Sequence, residues 1–270
     1  MKTAIHRTMP ATALVLAAIL VIWPRLATAQ GVQLPYVPVR LAFIQGGADD
    51  LGLAVRLAPG WKFYWRTPGE GGVPAQFDWS ASENLERADV QWPAPQRIPL
   101  GKFDINGYIE EVVLPIRIER RDANKPVKLN LMLEYGVCKD ICILRTDRLQ
   151  HREGVASSAV EQALLAAWRA RVPQAAAAAD LRLQFLRQKP DRLIVALHSA
   201  TPLQSPDLFV EGTADSWFGR PQIALMDQGR EVRFEIPSSV PQAAAGRPLR
   251  LTLVDGSLAA DMVVQPEGAP

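Results

Sequence analysis

The feature that most constrains the fold is a series of short runs in which apolar and polar residues alternate, each run broken by glycine, proline or aspartate. In one of them Leu51, Leu53 and Val55 fall on the same face of a strand, and the residues between them fall on the other face. Similar strand candidates lie at residues 62–66, 111–119 and 127–135. Because no helical pattern separates these runs, residues 39–152 are predicted to form an antiparallel β-sandwich rather than βαβ units.

A helical pattern follows this region. Ser158 has the chemistry of an N-cap, and Glu161 stands three residues later, as in a capping box. Apolar residues then recur at helical spacing: Val160, Leu164, Leu165 and Trp168. The pattern predicts an amphipathic helix over residues 158–171 that Pro173 ends. The alanine-rich run at 175–179 is predicted to be a linker.

Strand patterns resume after the linker. The candidate runs are residues 181–185, 193–197, 232–236, 249–254 and 262–264. They predict a second, smaller β-sandwich over residues 181–270, ending in a polar tail. The chain is therefore predicted to be mainly β, with sandwich domains at residues 30–155 and 181–270 joined by a helix and linker at residues 156–180.

The N-terminus has the pattern of an export signal. A short basic segment with Lys2 and Arg7 precedes twelve apolar residues at positions 11–22, and Ala-Thr-Ala at 27–29 supplies a signal-peptidase pattern. Twelve residues span about 18 Å as a helix, too short for a bilayer core of roughly 30 Å. We expect a cleaved signal peptide at residues 1–29 and an exported protein, in a compartment where thiols can be oxidised.

The charge balance argues against a nucleic-acid partner. The 270 residues are 48% hydrophobic and 21% charged, as in an ordinary globular protein. Of the 30 basic residues, Lys2, Arg7 and Arg25 lie in the first 29 residues, which hold no acidic residue. The remaining chain carries 27 basic and 28 acidic residues, so it has no excess of positive charge to attract phosphates or anionic lipids.

Cys138 and Cys142 are the two cysteines of the chain, and they follow a strand candidate directly. A structural disulfide between them closes a loop of about five residues, which stabilises by only about 2 kcal/mol. A redox-active dithiol is a second interpretation, in which Lys139 favours a thiolate and Asp140 opposes it. A metal site is the third, because two thiolates can hold Cu(I). The spacing alone leaves all three open.

Other residues give weaker signals. The chain lacks the serine motif of a nucleophile elbow and a phosphate-binding loop. Five aromatic residues concentrate in the first domain, and sandwich cores bury such residues routinely. They are Trp61, Tyr64, Trp65, Trp79 and Trp92. We expect no cofactor.

An ordered set of motifs surrounds the cysteine pair. It consists of residues 57–72 (LAPGWKFYWRTPGEGG), 77–80 (FDWS), 91–95 (QWPAP), 107–108 (GY), 113–116 (VLPI) and 135–142 (YGVCKDIC). Taken together over residues 39–150, these motifs resemble the N-terminal periplasmic domain of the thiol:disulfide interchange protein DsbD family. The resemblance is greatest to the copper-sensitivity suppressor ScsB variant, in which three residues separate the cysteines.

This resemblance implies an immunoglobulin-like sandwich whose cysteine pair carries electrons. In full-length relatives a transmembrane domain reduces the pair, which then reduces disulfides of periplasmic proteins. The resemblance makes Cys142 the nucleophile and Cys138 the resolving thiol. It also implies a shielding cap loop, for which the candidate is residues 100–107 with Phe103 as the covering ring.

Two departures from the family affect these expectations. Relatives often have proline shortly after the second cysteine, where this chain has Ile143 and Leu144. The sequence also ends without a membrane domain or a thioredoxin-like domain. We therefore expect a protein-disulfide reductase-type oxidoreductase that depends on a membrane-embedded electron donor and acts on periplasmic disulfide-exchange proteins. The alternative is a copper-tolerance or assembly protein that binds Cu(I) through Cys138 and Cys142.

Overall fold

The computed structural model describes residues 38–47, 50–152, 154 and 157–266, and the predicted signal peptide at residues 1–29 lies outside this part. The strands before the helix are β1 (Val39–Gly47), β2 (Asp50–Leu57), β3 (Lys62–Gly69), β4 (Gln76–Asp78), β5 (Leu85–Val90), β6 (Gln96–Leu100), β7 (Phe103–Ile109), β8 (Glu111–Arg120), β9 (Lys128–Cys138) and β10 (Cys142–Arg152). The helix α1 (Ala159–Arg169) follows. The later strands are β11 (Gln174–Ala175), β12 (Leu181–Gln188), β13 (Arg192–Ser199), β14 (Asp207–Glu211), β15 (Trp217–Phe218), β16 (Gln222–Met226), β17 (Glu231–Ser239), β18 (Leu249–Asp255) and β19 (Leu258–Val264).

The first sandwich consists of two antiparallel sheets. One has the strand order β1-β2-β8-β5, and the other has the order β10-β9-β3-β7-β6 with β4 beside β9. Alternation along the strands turns one set of apolar side chains inward, so that Leu53 of β2 lies opposite Leu114 of β8 and both are fully buried. Each such side chain contributes about 1.5–3 kcal/mol by leaving water. The predicted immunoglobulin-like sandwich is confirmed.

The helix α1 packs on the outer face of the first sheet. Its N-terminus has the predicted capping box: the Ser158 hydroxyl accepts a bond from the Glu161 amide (3.2 Å), and the Glu161 carboxylate accepts one from the Ser158 amide (2.9 Å). Leu165 is buried against side chains of β1, β2 and β8, which are Ile44, Ala54 and Val113. The predicted amphipathic helix is therefore confirmed, and it ends slightly earlier than predicted, at Arg169.

The second sandwich has sheets of order β11-β19-β18-β14 and β12-β13-β17-β15, with β16 beside β17. Inward-facing residues such as Val195, Phe234 and Leu251 form its core. The run predicted to be a linker is instead part of this unit. Gln174 and Ala175 pair in parallel with β19, and the 3-10 turn Ala176–Ala179 buries Ala176. The low complexity of this run favours a linker, but its pairing with β19 makes it part of the sheet.

The two sandwiches contact each other along β3 and the hairpin of β6 and β7. The ring of Phe209 in β14 packs edge-on against Trp65 of β3, with centroids 5.8 Å apart, and belongs to the core of the first sandwich. No helix in the described residues is long and apolar enough to cross a membrane.

Candidate redox site

The cysteine pair lies at the end of a β-hairpin. Cys138 is the last residue of β9 and Cys142 is the first of β10, and the two face each other across the ladder with their Cα atoms 4.2 Å apart. They form a disulfide. Three residues make the connecting turn, which the Lys139 amide closes by donating to the Ile141 carbonyl (3.0 Å). The hairpin register thus brings the two sulfur atoms together.

The two cysteines differ in exposure. Cys138 is only 1% exposed, whereas Cys142 is exposed at the surface. Two apolar neighbours of Cys142 are also exposed, Ile141 at 67% and Leu144 at 70%. An incoming thiolate or disulfide therefore has access to Cys142 and not to Cys138. Ile141 and Leu144 add exposed apolar surface beside Cys142.

Tyr64, which the sequence marked as one of five aromatic residues of the first domain and not as part of the redox site, contacts the disulfide. The Tyr64 hydroxyl lies 3.3 Å from Sγ of Cys142, within hydrogen-bond range of sulfur. Its ring is almost completely buried, and a Cβ atom built on Gly72 or Gly136 would come within 2.5 or 3.2 Å of it. Glycine at these two positions makes room for the ring and fixes its place.

Burial raises the pKa of the Tyr64 phenol, because the phenolate would lose hydration. The group is therefore neutral at ordinary pH and keeps a proton to donate. A thiolate on Cys142 would accept that proton in a charge-assisted hydrogen bond, which is stronger than a neutral one. The arrangement can stabilise the reduced, reactive form of Cys142.

The hairpin of β6 and β7 covers the buried cysteine. Cys138 shares a cluster of buried residues with Tyr64, Ile98 and Ile105, and Leu100 packs against that cluster. Leu100 pairs with Phe103 across the hairpin, two residues from the pair of Ile98 and Ile105, so all four lie on one face.

Phe103, the predicted covering ring, occupies the tip of this hairpin. It is 56% exposed, and it lies on the hairpin face that packs against Cys138. Its shielding role stays a prediction. Leu100 and Ile105 of the predicted cap segment, and Ile98 just before it, are the residues that pack with Cys138.

Two further buried tyrosines near the region have other partners. The Tyr108 hydroxyl donates to the Pro93 carbonyl (2.7 Å), and the Tyr135 hydroxyl donates to the Asp147 carboxylate (2.6 Å). Burial raises the pKa of both phenols, and the Asp147 carboxylate raises that of Tyr135 further. These tyrosines stabilise the sandwich and supply controls for the role of Tyr64.

Metal ligands are sparse around the disulfide. Within the described residues no group of three or more His, Cys, Asp or Glu side chains is placed to hold a metal ion. Among these described side chains, a metal bound here would have two ligands, the sulfur atoms of Cys138 and Cys142.

The fold and the site define a class of protein: an immunoglobulin-like sandwich with a disulfide at a hairpin end, in which one cysteine is buried and the other is exposed. Residues 33–153 match the family model of the thiol:disulfide interchange protein DsbD, N-terminal. Over these residues the chain is similar to the N-terminal domain of that family. Residues 171–269 match a domain of unknown function, DUF8393.

The fold of both sandwiches together also occurs in a solved structure, the N-terminal periplasmic domain of ScsB from Proteus mirabilis. The TM-score is 0.72 at 22% sequence identity, and the match covers 86% of this chain and 93% of that one. No curated protein sequence matches the chain.

Proposed function

We propose that this protein exchanges disulfides with other proteins in the periplasm, with Cys142 as the attacking thiol and Cys138 as the resolving thiol. The observation that carries the proposal is the difference in exposure between the two cysteines, with Tyr64 placed beside the exposed one. A structural disulfide has no need of an open sulfur with a hydrogen-bond donor beside it.

The reaction starts from the reduced pair. The Cys142 thiolate attacks one sulfur of a partner disulfide, forming a mixed disulfide and releasing the partner's other sulfur as a thiolate that takes up a proton. The Cys138 thiol then loses its proton and attacks Sγ of Cys142, which releases the reduced partner. The partner gains two electrons, and the protein is left with the Cys138–Cys142 disulfide seen in the structure.

Two further components complete the cycle. A membrane-embedded electron donor re-reduces the disulfide, as in full-length members of the family that residues 33–153 match. The substrates are periplasmic disulfide-exchange proteins, and the signal peptide proposed at residues 1–29 delivers the chain to them. Phe103 at the tip of the hairpin acts as the outer part of the shield.

Trapping tests the order of attack. A Cys138→Ala variant keeps the exposed thiol and lacks the resolving one, so it is expected to accumulate a mixed disulfide with a disulfide-bonded model protein. Cys142→Ala is the matched control and should accumulate little, because its remaining thiol is buried. Equal trapping by both variants, or trapping by Cys142→Ala alone, refutes the assignment of the nucleophile.

The alternative function, Cu(I) binding, uses the same two sulfur atoms. Thiolates are soft ligands that select Cu(I), and Cys138 lies among apolar side chains that exclude water. Anaerobic titration of the reduced protein separates the two functions. Tight stoichiometric Cu(I) binding together with negligible disulfide exchange favours the copper protein, and rapid exchange favours the oxidoreductase.

A further inference from the structure

The hairpin of β6 and β7 has two faces with different partners. Ile98 and Ile105 form one cross-strand pair and point toward Cys138. The next pair toward the tip is Pro99 with Asp104, and the next pair away from it is Arg97 with Asn106. Because side chains alternate along a strand, Arg97 and Asp104 lie on the face opposite the cysteines. That face points toward the second sandwich.

Two ion pairs hold this opposite face. The Asp104 carboxylate accepts bonds from Nε and Nη2 of Arg220 (2.6 and 2.8 Å). Arg97 donates from Nε and Nη2 to the Asp207 carboxylate (2.9 and 3.0 Å), and also to the Leu208 carbonyl (3.1 Å). Both hairpin residues are largely buried, with side chains 17% and 10% exposed for Asp104 and Arg97. A bidentate arginine–carboxylate pair therefore links each strand of the hairpin to the second sandwich.

The strand that carries Tyr64 is attached to the second sandwich as well. The register of β3 against β7 shifts between Tyr64 and Gly69, so the intervening residues leave the ladder. In this bulge Arg66 forms a bidentate pair with Glu211 (closest contact 2.6 Å), and the Thr67 hydroxyl donates to the same carboxylate (2.7 Å). The second sandwich thus contacts both structural elements that enclose the disulfide.

We propose that the second sandwich controls access to Cys138 by holding the hairpin of β6 and β7 closed over it. Arg220 and Asp207 are positioning residues: they act on the disulfide through Asp104 and Arg97. This inference deepens the proposed exchange function, on which it rests, since a site that reacts with selected partners needs a barrier to other thiols and oxidants.

The position of the hairpin in the sheet explains why it needs this support. β6 is the edge strand of its sheet, so β7 is its hydrogen-bonded strand neighbour in the described structure. β7 also pairs with β3, at residues 107–109 and at Ile105, so in the described structure the hairpin is two-stranded beyond Ile105 toward its tip, and a two-stranded end is marginally stable. The ion pairs to the second sandwich add to the packing of Ile98, Leu100 and Ile105 on Cys138, and a partner that weakens them opens the site.

In the reduced Cys142→Ala protein Cys138 is the one thiol of the sequence, so its alkylation by iodoacetamide measures this access directly. Adding Arg220→Ala is expected to raise the second-order rate of alkylation roughly three- to tenfold, as loss of a half-exposed bidentate pair suggests. Asp207→Asn removes the carboxylate charge from the other attachment, at Arg97, and should also raise the rate of alkylation.

A matched control separates access from general destabilisation. Arg250 pairs with Asp261 inside the second sandwich, with exposure close to that of the Arg220 and Asp104 pair. In the same Cys142→Ala background Arg250→Ala should leave the alkylation rate unchanged. The inference is overturned if Arg220→Ala does not raise the rate, if Arg250→Ala raises it equally, or if Asp207→Asn leaves it unchanged.

These outcomes are independent of the proposed function. Failure of Cys138→Ala to trap a partner would refute the exchange function, and the rate of Cys138 alkylation would still report whether the hairpin shields Cys138. An unchanged rate in Arg220→Ala would refute the control of access and leave the trapping result valid.

Discussion

Removing one oxygen atom from Tyr64 tests how the site activates Cys142. Tyr64→Phe keeps the ring between Gly72 and Gly136 and deletes the hydroxyl that lies 3.3 Å from the Cys142 sulfur. A hydrogen bond to a charged group is worth about 1.5–3 kcal/mol. At 1.36 kcal/mol for each pKa unit, losing it should raise the pKa of the Cys142 thiol by about one to two units.

The loss in the rate of exchange is smaller than the loss of thiolate that the higher pKa of Cys142 causes. A thiol whose pKa rises by one unit has about tenfold less thiolate at neutral pH, but each thiolate is about threefold more nucleophilic, because the Brønsted coefficient is roughly 0.4–0.5. The net loss is about threefold for one unit and about tenfold for two units. Tyr64→Phe is therefore expected to slow exchange at neutral pH by roughly three- to tenfold.

The assay is alkylation of the reduced protein by iodoacetamide over a range of pH, with mass spectrometry to assign the modified cysteine. Tyr64→Phe should shift the midpoint of the pH profile upward. Tyr108→Phe is the control, because it also removes a buried hydroxyl, whose partner is the Pro93 carbonyl. The reasoning is wrong if Tyr64→Phe has the native midpoint, or if both variants shift it equally.

Three further predictions follow from the contacts around the site and the helix. The Cys138–Cys142 couple should have a reduction potential between about −270 and −180 mV in glutathione or dithiothreitol buffers, whereas a value below about −300 mV marks a structural disulfide. The hydrogen bonds from Arg220 lower the pKa of Asp104, so its stabilising contribution is present above its unfolded pKa of about 3.9 and is lost as the pH falls through the lowered folded value. In urea titrations the native protein should exceed Asp104→Asn in unfolding free energy at neutral pH, and this difference should vanish in acid; a constant difference contradicts the assignment. Leu165→Ala should lower the unfolding free energy by about 2–5 kcal/mol, because Leu165 fills the contact between α1 and the first sheet; a loss below 1 kcal/mol, on the order of an exposed-site change, would contradict that packing.

Local patterns in the sequence predict the fold well. Alternation at Leu51, Leu53 and Val55 marks an inward face, and Ser158 with Glu161 marks the start of the helix, because each signal depends on residues a few positions apart. The alanine run at 175–179 misleads for the same reason: its pairing with β19 involves residues more than eighty positions away.

The contacts of Tyr64 and Arg220 at the site depend on strand pairing between distant parts of the sequence. Tyr64 and Cys142 are 78 residues apart, and Arg220 and Asp104 are 116 apart. Lys62 pairs with Cys138, so the side chains of these two residues lie on the same face of the sheet. Tyr64 is two residues after Lys62 in β3, so its side chain lies on that face as well and reaches the cysteines. No periodicity within β3 contains this information. The sequence around Arg220 likewise does not indicate that the ion-pair partner of this arginine, Asp104, lies in the other sandwich.

The difference between the two cysteines also follows from strand order rather than from spacing. Within its sheet β9 lies between β10 and β3, whereas β10 is at the edge. A cysteine that ends β9 is therefore enclosed by neighbours on both sides, including Tyr64 and the β6–β7 hairpin, and a cysteine that begins β10 has strand neighbours on one side only. The same C-x3-C motif placed on a hairpin of the opposite order would expose its first cysteine. This topology supports Cys142 as the attacking thiol and explains why the spacing of the motif could not by itself distinguish the two.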